Sequence, residues 1–391
     1  MSSKRKIILM IAVLCTALPD IGAGTATPAI ALVAKAMPDV NKSLIQMIVS
    51  IPSVCLIFFP PVYAALTRYV KKKKLLLLAF ILMLAGSIGP TIFNDIYLIL
   101  ACRFIMGCGN GIIMPITIDL IIDMYEGHER QSMLGYAAAV TSIGGILFQV
   151  LGGVMGSINW HYCFLATCVS VPCYLFALIF LPDVPIPVSD EGSRKFEVRK
   201  CMKPSLLFLG GFMIVWEMMY FVFLTNISLY LVNAGIANAA QVGVITSTVT
   251  VGGMIMSVLY GPIVRVFHEK VLPFAYLVTA CGFLVICLGH TALVMGMGAL
   301  LIGIGYGISA PCQLNLASNL IPREYASVAT SVCYTARGIG GFVSPLVITA
   351  VCAAAGTAQE VFPFRLAAGV LAVFGVLMIV YLRKMRIKIN T

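Results

Sequence analysis

Charged side chains cut this chain into twelve apolar stretches, at 7–34, 44–66, 75–93, 96–122, 132–157, 161–181, 204–233, 241–263, 271–290, 292–319, 327–351 and 363–382. Crossing the hydrocarbon core of a bilayer takes roughly 20 mostly apolar residues, about 30 Å at 1.5 Å per residue, and every stretch comes close to or exceeds that length. The pattern therefore predicts twelve transmembrane helices. The one long polar interruption, 182–203, contains Pro182, Pro185, Pro187, Ser189, Asp190, Glu191 and Gly192 followed by basic residues. It divides six stretches from six.

Composition agrees. Of 391 residues, 60% are hydrophobic and 10% charged, too little polar surface to cover a water-soluble globule. The net charge of +11 would suggest nucleic acid, but the placement of the charge excludes it. Of the 26 lysines and arginines, 21 lie in the tails and loops that share a side with the N-terminus. Lys35, Lys42 and Arg365 lie opposite, and Arg103 and Arg337 lie inside predicted spans. This is the positive-inside pattern, so both termini and the middle loop are expected in the cytoplasm of a cell whose cytoplasmic (inner or plasma) membrane holds the protein. The first stretch resembles a signal peptide in its basic start, but it runs on without a small-residue cleavage site and recurs in the second half. The 13 cysteines sit almost entirely in predicted spans with no metal-binding spacing, so no disulfide, metal site or cofactor is expected.

The halves repeat. Gly107-x-Gly109-x-Gly111-x-x-x-Pro115 returns as Gly303-x-Gly305-x-Gly307-x-x-x-Pro311, each position displaced by 196 residues. The expected organisation is an N-terminal six-helix bundle over 1–181, a cytoplasmic linker over 182–203, and a C-terminal bundle with a short basic tail over 204–391. Chemistry is expected at the seam between them. The glycines echo a dinucleotide-binding fingerprint, but that motif needs a preceding strand and a water-facing helix start, and neither is predicted here. Spacing of the GxxxG kind instead lets helix backbones approach closely in lipid. Short loops leave no room for an extramembrane catalytic domain, and the spans offer no nucleophile, base and orienter together, so an enzyme is not expected.

The sequence Arg103-Phe-Ile-Met-Gly107-Cys-Gly109 in the fourth span resembles the Arg-x-x-x-Gly-x-Gly signature of the major facilitator superfamily. Asp123 followed by Arg130 resembles the acidic and basic pair at the cytoplasmic end of that helix, and Trp160-His161-Tyr162-Cys163-Phe164 resembles its Trp-Arg-Trp-x-Phe. The resemblance covers essentially the whole chain. It implies an all-α polytopic membrane protein of twelve helices in two pseudo-symmetric bundles working by alternating access. Two departures stand out. In the loop that usually reads Gly-x-x-x-Asp-Arg-x-Gly-Arg-Lys, the segment Tyr63 to Lys72 has Thr67 for Asp and Val70 for the second Gly, keeping Arg68, Lys71 and Lys72. The drug/proton antiporter motif Gly-Pro-x-x-Gly-Gly is reduced to Phe148-Gln149 before Gly152-Gly153, while Pro345 in the second half matches Gln149.

An ionisable group in hydrocarbon costs at least about 2.5–3.5 kcal/mol, so those that remain point to a partner or a task. Asp20 and Glu217 occupy matching depths in the first and seventh spans and are the expected proton-coupling pair, or else hydrogen-bonded structural acids. Arg337, at mid-depth of the eleventh span, would bind a substrate anion bidentately or neutralise one of those acids. Asn226, Trp216, Asn110, Gln313 and Arg103 complete the substrate-binding candidates, with Gln149, Asn315, Tyr220 and Phe221 as support. Arg68, Lys71, Lys72, Asp119, Asp123 and Arg130 are assigned to a cytoplasmic gate. The expected function is secondary active transport of a small organic solute, driven by an ion gradient because no P-loop is present for nucleotide hydrolysis, with proton coupling through Asp20 and Glu217 and efflux of amphipathic or cationic compounds first. Proton-coupled uptake of an organic anion through Arg337, or a non-transporting receptor or scaffold on the same fold, are the alternatives. The expected partners are the solute, the proton and the lipid bilayer, with no nucleic acid and a monomeric state.

Overall fold

A backbone in hydrocarbon has no water to bond, so each crossing segment must satisfy its own N–H and C=O groups, and the computed structural model is helical throughout its crossing segments. It describes residues 3–67, 69–182, 204–320, 326–357 and 359–385, with the side chains of 3–4, 19–23, 64, 269, 326–329 and 381–385 set aside. Among the described residues eleven helical runs are long and apolar enough to cross a membrane. The twelfth, α1, starts as an α-helix at Ser3–Ala17, tightens into a 3-10 stretch at Leu18–Ala29 and relaxes at Ile30–Ala36.

The others follow the predicted order. They are α2 (Lys42–Ser50 continuing as Pro52–Leu66), α3 (Lys72–Ile88), α4 (Ile96–Met124), α5 (Gly127–Ile158) and α6 (3-10 at Trp160–Ser170, then Val171–Phe180). The second half supplies α7 (Pro204–Asn233), α8 (Ala239–Phe267), α9 (Val271–Leu288), α10 (Ala292–Asn319), α11 (Ala326–Ala354) and α12 (Phe362–Met385). Five helices beginning at the end remote from the basic loops are opened by short polar caps. Asn41, Asp95, Asn159, Asn238 and Thr291 each accept from a backbone N–H of the first turn. At the basic end Lys71 and Glu126 precede α3 and α5 without a side-chain cap.

Buried apolar side chains gather in three clusters. One is drawn from residues between Ala12 and Leu181 and one from Leu206 to Met378, while the third joins residues from Ala26 to Phe164 with Leu229 near the capped end. Large apolar side chains such as Ile81, Ile179 and Val373 face outward, as lipid contact requires.

The repeated glycines set the spacing of the helices. A Cβ added at Gly109 would lie 2.7 Å from the carbonyl oxygen of Ala79 in α3, and one at Gly305 would lie 2.7 Å from that of Ala275 in α9, the residue 196 positions later. The same register holds elsewhere: Gly144 of α5 abuts the Leu18 carbonyl of α1, and Gly340 of α11 abuts the Ile214 carbonyl of α7. The halves therefore repeat individual backbone contacts as well as sequence. Overpacking a tight contact costs about 1–3 kcal/mol. Gly109→Val and Gly305→Val are each expected to lower the melting temperature of the purified protein in detergent, whereas Gly211→Val, where an added Cβ meets nothing within 4 Å, should leave it nearly unchanged.

Candidate functional site

A cavity of about 330 Å³ lies between the halves. Its walls come from matching places in the repeat: Gly24 and Tyr220, Ser53 and Val249, Asn110 and Tyr306, and Met114 and Ala310 are each 196 residues apart and all line it. The cavity thus sits on the pseudo-two-fold seam. Glu217 of α7 and Arg337 of α11 are the two ionisable Asp, Glu, Lys or Arg residues among its described lining.

Local sequence explains how these two come together. Gly340, one turn beyond Arg337, has no side chain to hold α11 away from α7: a Cβ there would come within 2.9 Å of Glu217 Cβ. Ser344 fastens the contact by donating to the carbonyl of Met218 at 2.7 Å. Glu217 is 5% exposed, and Arg337 is close enough to attract it, yet no ion pair within 4.0 Å joins them. Glu217 Oε2 and Arg337 Nε have no hydrogen-bond partner among the described groups. The guanidinium stands over the Tyr306 ring at 5.9 Å, and Tyr306 stacks on Tyr220 with ring centroids 4.4 Å apart.

The other candidates divide sharply. Asn110 lines the cavity with its Oδ1 unpartnered, and Gln149 lines it while donating across the seam to Thr250 Oγ1 at 3.2 Å. Trp216 does not reach it, being buried and stacked on Tyr276 at 4.4 Å in the C-terminal core. Gln313 is buried there too, donating to the same Tyr276 hydroxyl at 3.2 Å. Asn226 lies toward the capped end, where its Oδ1 accepts from Gln46 Nε2 at 2.7 Å across the halves. The side chain of Asp20 lies outside the described residues, as does Arg68. Its sequence match with Glu217 is one residue off the register fixed by the helix contacts, which pairs Asp20 with Trp216 and Glu217 with Ile21.

Tyr306, Ser53 and Thr250 were missed by sequence reasoning. Tyr306 was within reach, because it fills the variable place of the second glycine motif exactly where Asn110 fills it in the first.

Contacts between the halves concentrate toward the capped end. Ser228 of α7 donates to the Pro28 carbonyl at 2.7 Å and accepts from Ala31 N at 3.2 Å. Gln46 also reaches the Thr225 carbonyl at 3.4 Å, and Thr349 of α11 meets Gln46 Oε1 at 3.5 Å. Gly152 and Gly153, the remnant of the α5 motif, serve two faces: Gly152 abuts the Thr25 carbonyl of α1 and a Cβ on Gly153 would lie 2.6 Å from that of Ala239 in α8.

A profile of the Major Facilitator Superfamily matches residues 9–345. The chain belongs to this superfamily. Multidrug resistance protein 3 of Bacillus subtilis (strain 168) is 30% identical over 122 residues, 31% of this chain and 23% of that protein. A TsgA homolog of Yersinia enterocolitica serotype O:8 / biotype 1B is 29% identical over 126 residues, 32% of each chain. The matches thus span about a quarter to a third of these curated relatives. In fold, the chain is similar to the nucleoside transporter NupG, with a TM-score of 0.80 at 10% identity over 96% of this chain and 99% of that one. A bacterial homolog of the human lysosomal transporter Spinster, inward-facing and unoccupied, gives 0.76 at 13% identity over 97% and 96%. The protein is a multi-pass membrane protein of this superfamily.

The superfamily's signature residues take structural places in this member. Arg103 is fully buried away from the cavity. Its Nε donates to the Ile48 carbonyl at 2.9 Å, its Nη1 approaches Met106 Sδ at 2.9 Å, and its guanidinium lies 5.7 Å from the Phe164 ring centroid. It ties α4 to α2 and α6. At the basic end, Lys72 binds Asp123 Oδ2 at 2.6 Å and approaches Asp119 Oδ2 at 3.5 Å, while the Tyr63 hydroxyl donates to Asp119 at 2.8 Å. The pairing expected of Asp123 with Arg130 is not the one formed. Arg130 caps the end of α4 instead, donating to the carbonyls of Tyr125 at 2.8 Å and Ile122 at 3.1 Å. Lys71 at the start of α3 is exposed. Hydrogen bonds to charged groups contribute about 1.5–3 kcal/mol, so Lys72→Met should destabilise the detergent-solubilised protein by that order, and neutralising the opposing charge as well in Lys72→Met/Asp123→Asn should recover part of the loss.

Proposed function

We propose that this protein is a proton-coupled transporter of the cytoplasmic membrane that carries small organic solutes out of the cell, amphipathic or cationic compounds first. The observation that carries the proposal is Glu217: a buried carboxylate on the wall of a cavity at the seam, with one oxygen unpaired. A carboxylate in a partly dry chamber can trade a proton for a positively charged group of an occupant, because either one offsets the carboxylate's charge. Apolar and aromatic walls, including Leu56, Met114, Phe221, Leu224 and Met254, suit an amphipathic body. Asp20 remains the proposed partner acid on sequence grounds.

In this reading residues 1–181 and 204–391 are the two moving units, 182–203 links them, and the basic ends and both termini face the cytoplasm. The cross-seam bonds then belong to the outer side, and the conformation is inward-open. Lys71, Lys72, Arg68, Asp119, Asp123 and Arg130 would form the gate region at the opening, and the protein would work as a monomer. A second reading, uptake of an organic anion with a proton, is favoured by the unpaired Nε of Arg337.

Purified protein in sealed liposomes, given a pH step and a panel of amphipathic cations and carboxylates, should show solute-dependent proton flux. Glu217→Gln should reduce that flux at least ten-fold while the protein still reconstitutes; undiminished flux in Glu217→Gln would refute the coupling role.

A further inference from the structure

The two readings above each use one of two opposite charges that line the same cavity, and the geometry favours a ligand that uses both. Glu217 and Arg337 stand on adjoining helices that touch at Gly340, near enough to attract each other but not within 4.0 Å. Each keeps a polar atom without a hydrogen-bond partner, Oε2 of the carboxylate and Nε of the guanidinium. The described residues of the opposite wall, among them Gly24, Ser53, Asn110 and Gln149, carry no formal charge to balance either one.

A purely cationic occupant would satisfy Glu217 and set its own charge against Arg337. A purely anionic one would do the reverse. Each sets a charge in a partly dry chamber beside another of its own sign, which weakens its binding. An occupant with a cationic and an anionic group meets both wall charges with their opposites, and the planar guanidinium suits a carboxylate bidentately. On the same cavity wall the Tyr220–Tyr306 stack and Phe221 offer aromatic surface.

We propose that the substrate is an aromatic zwitterion, its ammonium group at Glu217, its carboxylate at Arg337 and its ring on the Tyr220–Tyr306 face. The proposal keeps the transport reading but replaces its singly charged substrates with one that carries both charges, and it rests on this cavity being the substrate site. It gives protonation of Glu217 a defined effect: the ammonium loses its partner while the carboxylate keeps Arg337, so the occupant is loosened at one end.

The test compares three compounds on one skeleton, tryptamine, indole-3-propionate and tryptophan, by titration calorimetry on the detergent-solubilised full-length protein at constant pH. Tryptophan is expected to bind at least ten-fold more tightly than either singly charged analogue. Glu217→Gln should bring indole-3-propionate level with or ahead of tryptophan, and Arg337→Gln should do the same for tryptamine, with Arg337→Lys retaining the wild-type order. Wild-type binding of either analogue as tight as that of tryptophan, an unchanged order in both neutral variants, or no binding by any of the three would overturn the proposal. Binding is read without a gradient, so the outcomes separate: the expected order without proton flux in liposomes sinks the coupling and spares the zwitterion, whereas proton flux without the order does the opposite.

Discussion

Everything in this molecule depends on how closely its helices approach one another, and glycine decides that. In lipid the hydrophobic effect does not press helices together, because the tails are as apolar as leucine, so van der Waals contact and a few hydrogen bonds must do it. At Gly109, Gly144, Gly305 and Gly340 the missing side chain is replaced by a neighbour's carbonyl. The four contacts are two contacts written twice. One sets α4 against α3 and α10 against α9, and the other sets α5 against α1 and α11 against α7. The second pair is what brings α11 to Glu217.

Charge inside the membrane is handled in two opposite ways. Arg103 is surrounded by groups that satisfy it, a carbonyl, a thioether and an aromatic face, and so ties helices together. Lys72 is likewise absorbed by two aspartates at the helix ends. Glu217 and Arg337 are held near each other without closing, beside open volume. A fold that can bury an arginine so thoroughly leaves these two short of partners where a solute can supply them.

The helices were legible in the sequence because length and hydrophobicity alone decide whether a segment crosses a bilayer; α4, α7 and α10 end within two residues of the apolar stretches that predict them. Helix rotation was not legible. Trp216 and Glu217 are adjacent in the chain, yet one faces Tyr276 in the core and the other the cavity, a difference of about 100° around the helix that an apolar run does not encode. Asn226 and Gln313 are substrate-binding candidates by sequence because they are polar within apolar spans, but a buried amide finds partners on a neighbouring helix equally well. The 3-10 stretch of α1 was hidden too. It winds three residues per turn rather than 3.6, which shifts the phase of everything after Leu18 and blunts any symmetry argument about Asp20. The partner exchange at the basic end, Lys72 for Arg130, turns on side-chain reach, which spacing along one helix does not reveal.

Two of the paired lining positions differ sharply between the halves. Gly24 and Asn110 on the first half correspond to Tyr220 and Tyr306 on the second, the half that also carries Glu217 and Arg337, the two Asp, Glu, Lys or Arg residues of the described lining. Grip is therefore concentrated on one side of the seam, and the other side supplies a smoother surface. If the halves tilt past each other as the transport reading proposes, a passenger held at this cavity travels with the C-terminal half and exchanges its weaker contacts with the N-terminal one, the first half being a sliding shutter and the second the carriage.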